Sequence, residues 1–119
     1  MRYICLIYNS VGTDGTLNTD ETEQLVRDHF RYDNELREEG ILIHADALDA
    51  PETATVLRVR NGTLSATDGP YVETKEHLAG LYVIEAKDLT QAKEIVARIP
   101  CSRYGAIEVR PVKMLTLAD

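Results

Sequence analysis

A chain of 119 residues with 44% hydrophobic and 28% charged residues has the make-up of one ordinary globular domain, taken here as residues 1–119. Its net charge of −7 excludes a non-specific nucleic-acid or anionic-membrane surface, since either needs a basic patch. The compact basic cluster at residues 103–113 is thinned by Glu108 and reads as half of a strand face.

Residues 2–8, rich in Tyr, Ile and Leu, predict a first, central strand. Asn9, Asp14 and Asp20 follow too soon for a signal peptide or a membrane span, which points to the cytoplasm. The two cysteines fit that compartment: Cys5 is expected as a buried mid-strand thiol, while Cys101 follows a helix end, where exposure is open to it. Residues 9–18, with Gly12 and Gly15, predict a loop longer than most connections.

Asp20-Glu21-Thr22-Glu23 has the form of a capping box and predicts a helix that runs to Glu39 and stops at Gly40. Leu25, His29, Tyr32 and Leu36 share one helical face, with Val26, Phe30 and Asp33 alongside. Residues 41–44 predict a second strand. Residues 54–60 and 63–66 flank Asn61-Gly62, the strongest hairpin signal in the chain. Thr67-Asp68-Gly69-Pro70 reads as a turn, and residues 79–86 as another central strand. Asp88-Leu89-Thr90-Gln91 caps a second helix with the stripe Ala92, Ile95, Val96 and Ile99, ended by Pro100; residues 106–115 close the sheet.

This order is β-α-β, an inserted hairpin, then β-α-β. It predicts an α+β, ferredoxin-like βαββαβ domain with both helices on one face of an antiparallel sheet. The other face keeps apolar residues from the strands at 2–8 and 81–85, a patch that monomers rarely leave in water. A homodimer packed sheet on sheet would cover it, with the Asn61-Gly62 hairpin expected to clasp the partner.

The stretch from Asp68-Gly69-Pro70-Tyr71 through Glu73, Thr74, Lys75 and Glu76 to Gly80 resembles the DGPF-motif branch of the YCII-like proteins, with Tyr71 where the motif usually has Phe. His29-Phe30-Arg31-Tyr32-Asp33 through Gly40 is similar to the helix of that family, and the resemblance extends over nearly the whole chain. It implies a dimeric α/β barrel with a histidine, here His29, at the centre of the active site and paired with an aspartate. Many members carry Asp-Pro after the second helix where this chain has Ile99-Pro100, so the carboxylate must come from Asp33 or Asp68. The resemblance also implies an association with extracytoplasmic-function sigma factors.

His29 stands where an apolar residue is expected, and Asp33 is one helical turn away. Burial and a neighbouring carboxylate act on its pKa in opposite senses, which suits a general acid/base. The plainer reading is a core histidine satisfied by one hydrogen bond. Asp68, Gly69 and Pro70 read equally as a simple turn or as the rim of a ligand pocket shared with His29. Tyr32, Tyr71 and Lys75 complete the candidate ligand-binding set, although Lys75 also suits a solvated ion pair with Glu73 or Glu76. His44 and His77 lack metal-ligand spacing, so neither a metal nor a cofactor is expected. Three functions remain open: an enzyme using His29 on a small organic substrate, of isomerase or lyase type by analogy; a non-catalytic ligand sensor or accessory protein; and a dimer with a vestigial pocket.

Overall fold

The computed structural model describes residues 1–10 and 17–117; the expected loop at 9–18 therefore lies mostly outside the described residues. In chain order the elements are β1 (Arg2–Asn9), α1 (Thr19–Glu38), β2 (Leu42–Ala47), β3 (Thr55–Arg60), β4 (Thr63–Asp68), β5 (His77–Glu85), α2 (Leu89–Ala97) and β6 (Gly105–Pro111). Short 3₁₀ turns occupy Pro51–Thr53 and Pro100–Tyr104.

The main sheet has the order β2-β5-β1-β6 and every pairing is antiparallel. Set the hairpin aside, and this is the split βαβ order of a ferredoxin-like domain, with β5 inserted between β1 and β2. β1 and β5 are the central strands. Tyr3, Cys5 and Ile7 of β1 lie opposite Ile84, Tyr82 and Gly80 of β5, and this row faces the helices. There it meets Leu25, Tyr32 and Leu36 of α1 and Ala92, Ile95 and Val96 of α2, with Ile99 just beyond. The helical stripes expected from the sequence are thus the buried faces.

The other parity of the sheet carries Ile4 and Leu6 opposite Val83 and Leu81, none of them fully buried. Charged residues flank this apolar centre. His44 and Asp46 on β2 face Val83 and Leu81 and pair with each other, while Glu108 and Arg110 on β6 face Leu6 and Ile4 and form an ion pair. No helix covers this face.

Several local details differ from the sequence expectations. α1 begins two residues early: Asn18 is the N-cap, and its side chain accepts from Glu21 N at 2.8 Å while Glu21 reaches back to Asn18 N. The box expected at Asp20 and Glu23 loses to this one because both have the right residue types, and the earlier one gains an extra half turn. α2 is capped by Asp88 as expected, but Gln91 accepts from Lys87 N rather than closing on Asp88 itself. β6 stops at Pro111 instead of running to 115; Val112 N still donates to Arg2 O, and residues 113–117 then leave the sheet, with Met114, Leu115 and Leu117 more than four-fifths exposed. Cys101 is buried, because the 3₁₀ turn after α2 folds it under α1.

β3 and β4 form a two-stranded sheet of their own. Asn61 and Gly62 both take positive φ, 52° and 75°, the geometry that matches a two-residue turn to the twist of its strands. β4 extends to Asp68, so the turn expected at Thr67 starts later. Gly69 N donates to Ala54 O at 2.7 Å and carries the ladder one step past the strand ends.

Candidate active site

α1 crosses the sheet above Tyr82, the residue that β5 sends toward the helices between Cys5 of β1 and Ala45 of β2. A tyrosine in that row must find a partner for its hydroxyl. It finds two. The Tyr82 hydroxyl donates to Asp33 Oδ1, a short contact, and lies 2.9 Å from His29 Nδ1. The single phenolic proton goes to the carboxylate, so Nδ1–H of His29 donates to the Tyr82 oxygen. Neutral His29 then keeps Nε2 as an acceptor. The rings are tilted by 44° with centroids 6.3 Å apart, so contact runs through the polar atoms rather than through stacking.

His29 and Asp33 occupy one face of α1 at i and i+4 and do not bond each other directly; Tyr82 stands between them. Sequence reasoning named both ends of this chain and missed its middle. The available signal was parity: if Leu81 and Glu85 face outward, Tyr82 faces the helices.

Burial pulls the His29 pKa below its ordinary 6.5, with Asp33 and then Asp28 opposing that shift. The imidazole is therefore neutral at physiological pH. Burial pushes the Tyr82 hydroxyl upward, and its bond to Asp33 reinforces this, so Tyr82 stays a phenol and works as a relay of hydrogen bonds. Burial also pushes the Cys101 thiol up to about 11, which leaves it protonated and a poor nucleophile.

His29, Asp33, Tyr82 and Cys101 line a cavity of about 510 Å³. Its remaining wall comes from Ile7 and Asn9 of β1, from Leu25, Val26 and Phe30 of α1, from Ala45 to Leu48 at the end of β2, and from Ala79 and Gly80 of β5. Val26, Phe30 and Leu48 are exposed although they are large and apolar. An imidazole with a free acceptor, set in an apolar recess of this size, can take a proton from a bound organic molecule and return it.

The other candidate residues lie elsewhere. Tyr32 is buried on the sheet-facing side of α1, turned toward α2 and outside the cavity wall, where its hydroxyl donates to Ile95 O at 2.6 Å and Arg98 covers its ring. It ties α1 to α2. Asp68 ends β4, exposed and opposite Thr55. Pro70 and Tyr71 line a second cavity of about 780 Å³, together with Tyr8, Leu48, Ala50 to Pro51, Thr53 to Val56 and Thr74 to Leu78 apart from Lys75. Gly69 neighbours this wall through its bond to Ala54. Arg58 sits over the Tyr71 ring, and Lys75 is exposed. The expected sharing of the His29 cavity with Asp68-Gly69-Pro70 is therefore not met within one chain. The hairpin pairs with itself and carries that segment away from α1; Leu48 alone belongs to both cavity walls.

Comparison with known proteins gives a consistent fold. The model of the YCII-related domain matches residues 1–116. An uncharacterised protein of Rhizobium meliloti is 30% identical over 116 residues, covering 96% of this chain and 94% of that protein. Among solved structures, the 5-chloro-2-hydroxyhydroquinone dehydrochlorinase of Burkholderia phenoliruptrix, in complex with 2,5-dihydroxybenzoquinone, superposes with a TM-score of 0.57 at 12% identity, over 95% of this chain and 94% of that one. At that identity the likeness concerns the fold.

Proposed function

The chain belongs to the YCII-related family, and on that premise we propose that it binds a small organic molecule in the His29 cavity and moves a proton on it. We place it in the DGPF-motif branch, as a cytoplasmic homodimer. One observation carries the reading: the Tyr82 hydroxyl joins His29 Nδ1 to the Asp33 carboxylate. Such a chain fixes the imidazole tautomer, orients the ring and stabilises the imidazolium that forms when Nε2 accepts a proton. His29 is the general acid/base, Asp33 the carboxylate behind it, and Tyr82 a positioning residue. In this reading Asp33 takes the part of the aspartate that the family resemblance implies before proline, a position where this chain buries Ile99.

The reaction type stays at the level of an isomerase or lyase, by analogy with proteins of this fold. That a protein with the same fold holds 2,5-dihydroxybenzoquinone supports a ring-sized ligand. Pro70 and Tyr71, with Gly69 beside them, are assigned to the wall of the second cavity as a further ligand-binding surface; Asp68 and Lys75, exposed next to it, stay candidates only at its edge. The rival reading, a ligand sensor linked to sigma-factor regulation, uses the same pocket without turnover.

A screen of small organic molecules by thermal shift, followed by product analysis of each hit, separates the two. Turnover that falls about 10²-fold or more in His29→Asn, and less in Tyr82→Phe, supports the enzyme. A hit without product selects the sensor. A Tyr82→Phe variant with an unchanged pH profile would remove Tyr82 from the site.

A further inference from the structure

We propose that the His29 cavity selects uncharged, ring-sized hydroxy compounds and turns carboxylates and phosphates away. This rests on the reading of that cavity as the ligand site, and goes beyond it by naming what enters.

The first support is the charge of the wall. Among the described residues, Asp33 lines the cavity and no lysine or arginine does; Asp46 belongs to the wall at the strand end, but its carboxylate pairs with His44 on the opposite face of the sheet. Two arginines of the helical layer are engaged elsewhere: Arg31 pairs with Asp28 on the exposed side of α1, and Arg98 covers the Tyr32 ring toward α2. An anion entering the recess meets like charge with no counter-charge, inside walls that weaken the screening by water. Sites built for carboxylates or phosphates instead present arginine, or a helix N-terminus.

The second support is hydrogen-bond polarity. With Nδ1–H committed to Tyr82, and the Tyr82 proton committed to Asp33, the polar groups at this end of the cavity are acceptors. A ligand that brings a donor to this end is therefore matched, and a hydroxyl meets Nε2 of a neutral imidazole. The third is the remaining wall. Ile7, Leu25, Val26, Phe30 and Leu48 offer apolar area to the faces of a ring, and about 510 Å³ suits one substituted ring. A cation would bring a donor too. However, Asp33 already accepts from Tyr82, Asp46 already pairs with His44, and the apolar wall penalises an ammonium group.

Resorcinol, benzoate and benzylammonium present one ring size with three charges. Calorimetric titration of the intact protein near neutral pH is expected to give resorcinol binding at least about tenfold tighter than either ion. The His29 imidazole resonances should shift on binding. Val26→Trp, at the exposed rim, should abolish resorcinol binding without loss of fold. Asp33→Asn, which removes the charge and keeps the shape, should narrow the gap between benzoate and resorcinol severalfold. Benzoate or benzylammonium binding as tightly as resorcinol, and blocked equally by Val26→Trp, overturns the charge selection but leaves the ligand site standing. His29 resonances that stay still with all three probes overturn the ligand site, and the selection with it. Resorcinol binding that survives Val26→Trp unchanged places the probe elsewhere and overturns the selection.

Discussion

His29 shows how much one side chain can state about a site. It interrupts an apolar helical stripe, and the cost of placing it there is visible in the lowered pKa, with burial acting against Asp33 and Asp28. A histidine held neutral in the folded state binds fewer protons than it does unfolded. The unfolded chain then takes up the extra proton as pH falls through 6.5, and stability is lost down to the depressed folded pKa; above 6.5 the penalty vanishes. The other titratable groups facing the ring, Tyr82 and Cys101, are both pushed upward and stay protonated across this window. In His29→Asn this part of the acid sensitivity should be missing. Urea midpoints measured at about pH 7.5 and about pH 5 should therefore differ less in the variant than in the wild type. An equal drop in both would show that His29 titrates normally. At this scale the sequence exposed His29 and Asp33, because each broke or flanked a pattern on a single helix. Tyr82 stayed hidden because a tyrosine in an apolar strand breaks no pattern; only the packing of α1 over β5 gives its hydroxyl a meaning.

Whole elements follow their local chemistry closely. Caps, stripes and the Asn61-Gly62 turn are short-range features, so both helices and the hairpin were legible in the chain. Where two local signals overlapped, as at Asn18 and Asp20, the sequence could not choose between them. The placement of the Asp68-Gly69-Pro70 segment was not legible, because it depends on whether β4 joins the main sheet or pairs only with β3. Gly105 illustrates a constraint of a different kind. It opens β6 opposite Asn9 in extended backbone, and a Cβ there would lie 2.1 Å from Tyr8 O and 2.7 Å from Asn9 Cβ. No flexible side-chain end is available to give way to the backbone oxygen. Gly105→Ala should cost about 1–3 kcal/mol by forcing β1 and β6 apart at this end. A denaturant midpoint within error of wild type would mean that the strand pair relaxes freely.

At the scale of the molecule, the chain is broader than its length requires. Its radius of gyration is 16.7 Å, against about 13.5 Å for a compact domain of this size. The hairpin pairs only with itself, the run after Val112 is largely exposed, and the sheet face that no helix covers keeps an apolar centre of Ile4, Leu6, Leu81 and Val83. A second copy packed on that face would convert a half-dressed sheet into a core. Sedimentation at micromolar concentration should then give twice 13.3 kDa. Leu6→Glu should shift the population to monomer, because it would place a carboxylate from each copy in the buried sheet-on-sheet contact. A wild-type chain that sediments as a monomer, or a Leu6→Glu chain still fully dimeric, rules this packing out.

The separate β3–β4 ribbon has a kinetic consequence. All of its strand residues except Val56 are exposed, and the main sheet lends it no hydrogen-bonded neighbour. An isolated two-stranded hairpin is marginal in water, so its amides should open without global unfolding. Deuterium should enter residues 55–68 in dilute protein orders of magnitude faster than it enters β1 and β5, whose amides open only with the whole domain. Contact with a partner would slow that uptake by mass action. Exchange rates in the ribbon that fall as protein concentration rises would make it a local gauge of assembly, read without a label. Rates that stay constant across the dimerisation range would show that the ribbon stands free of the partner.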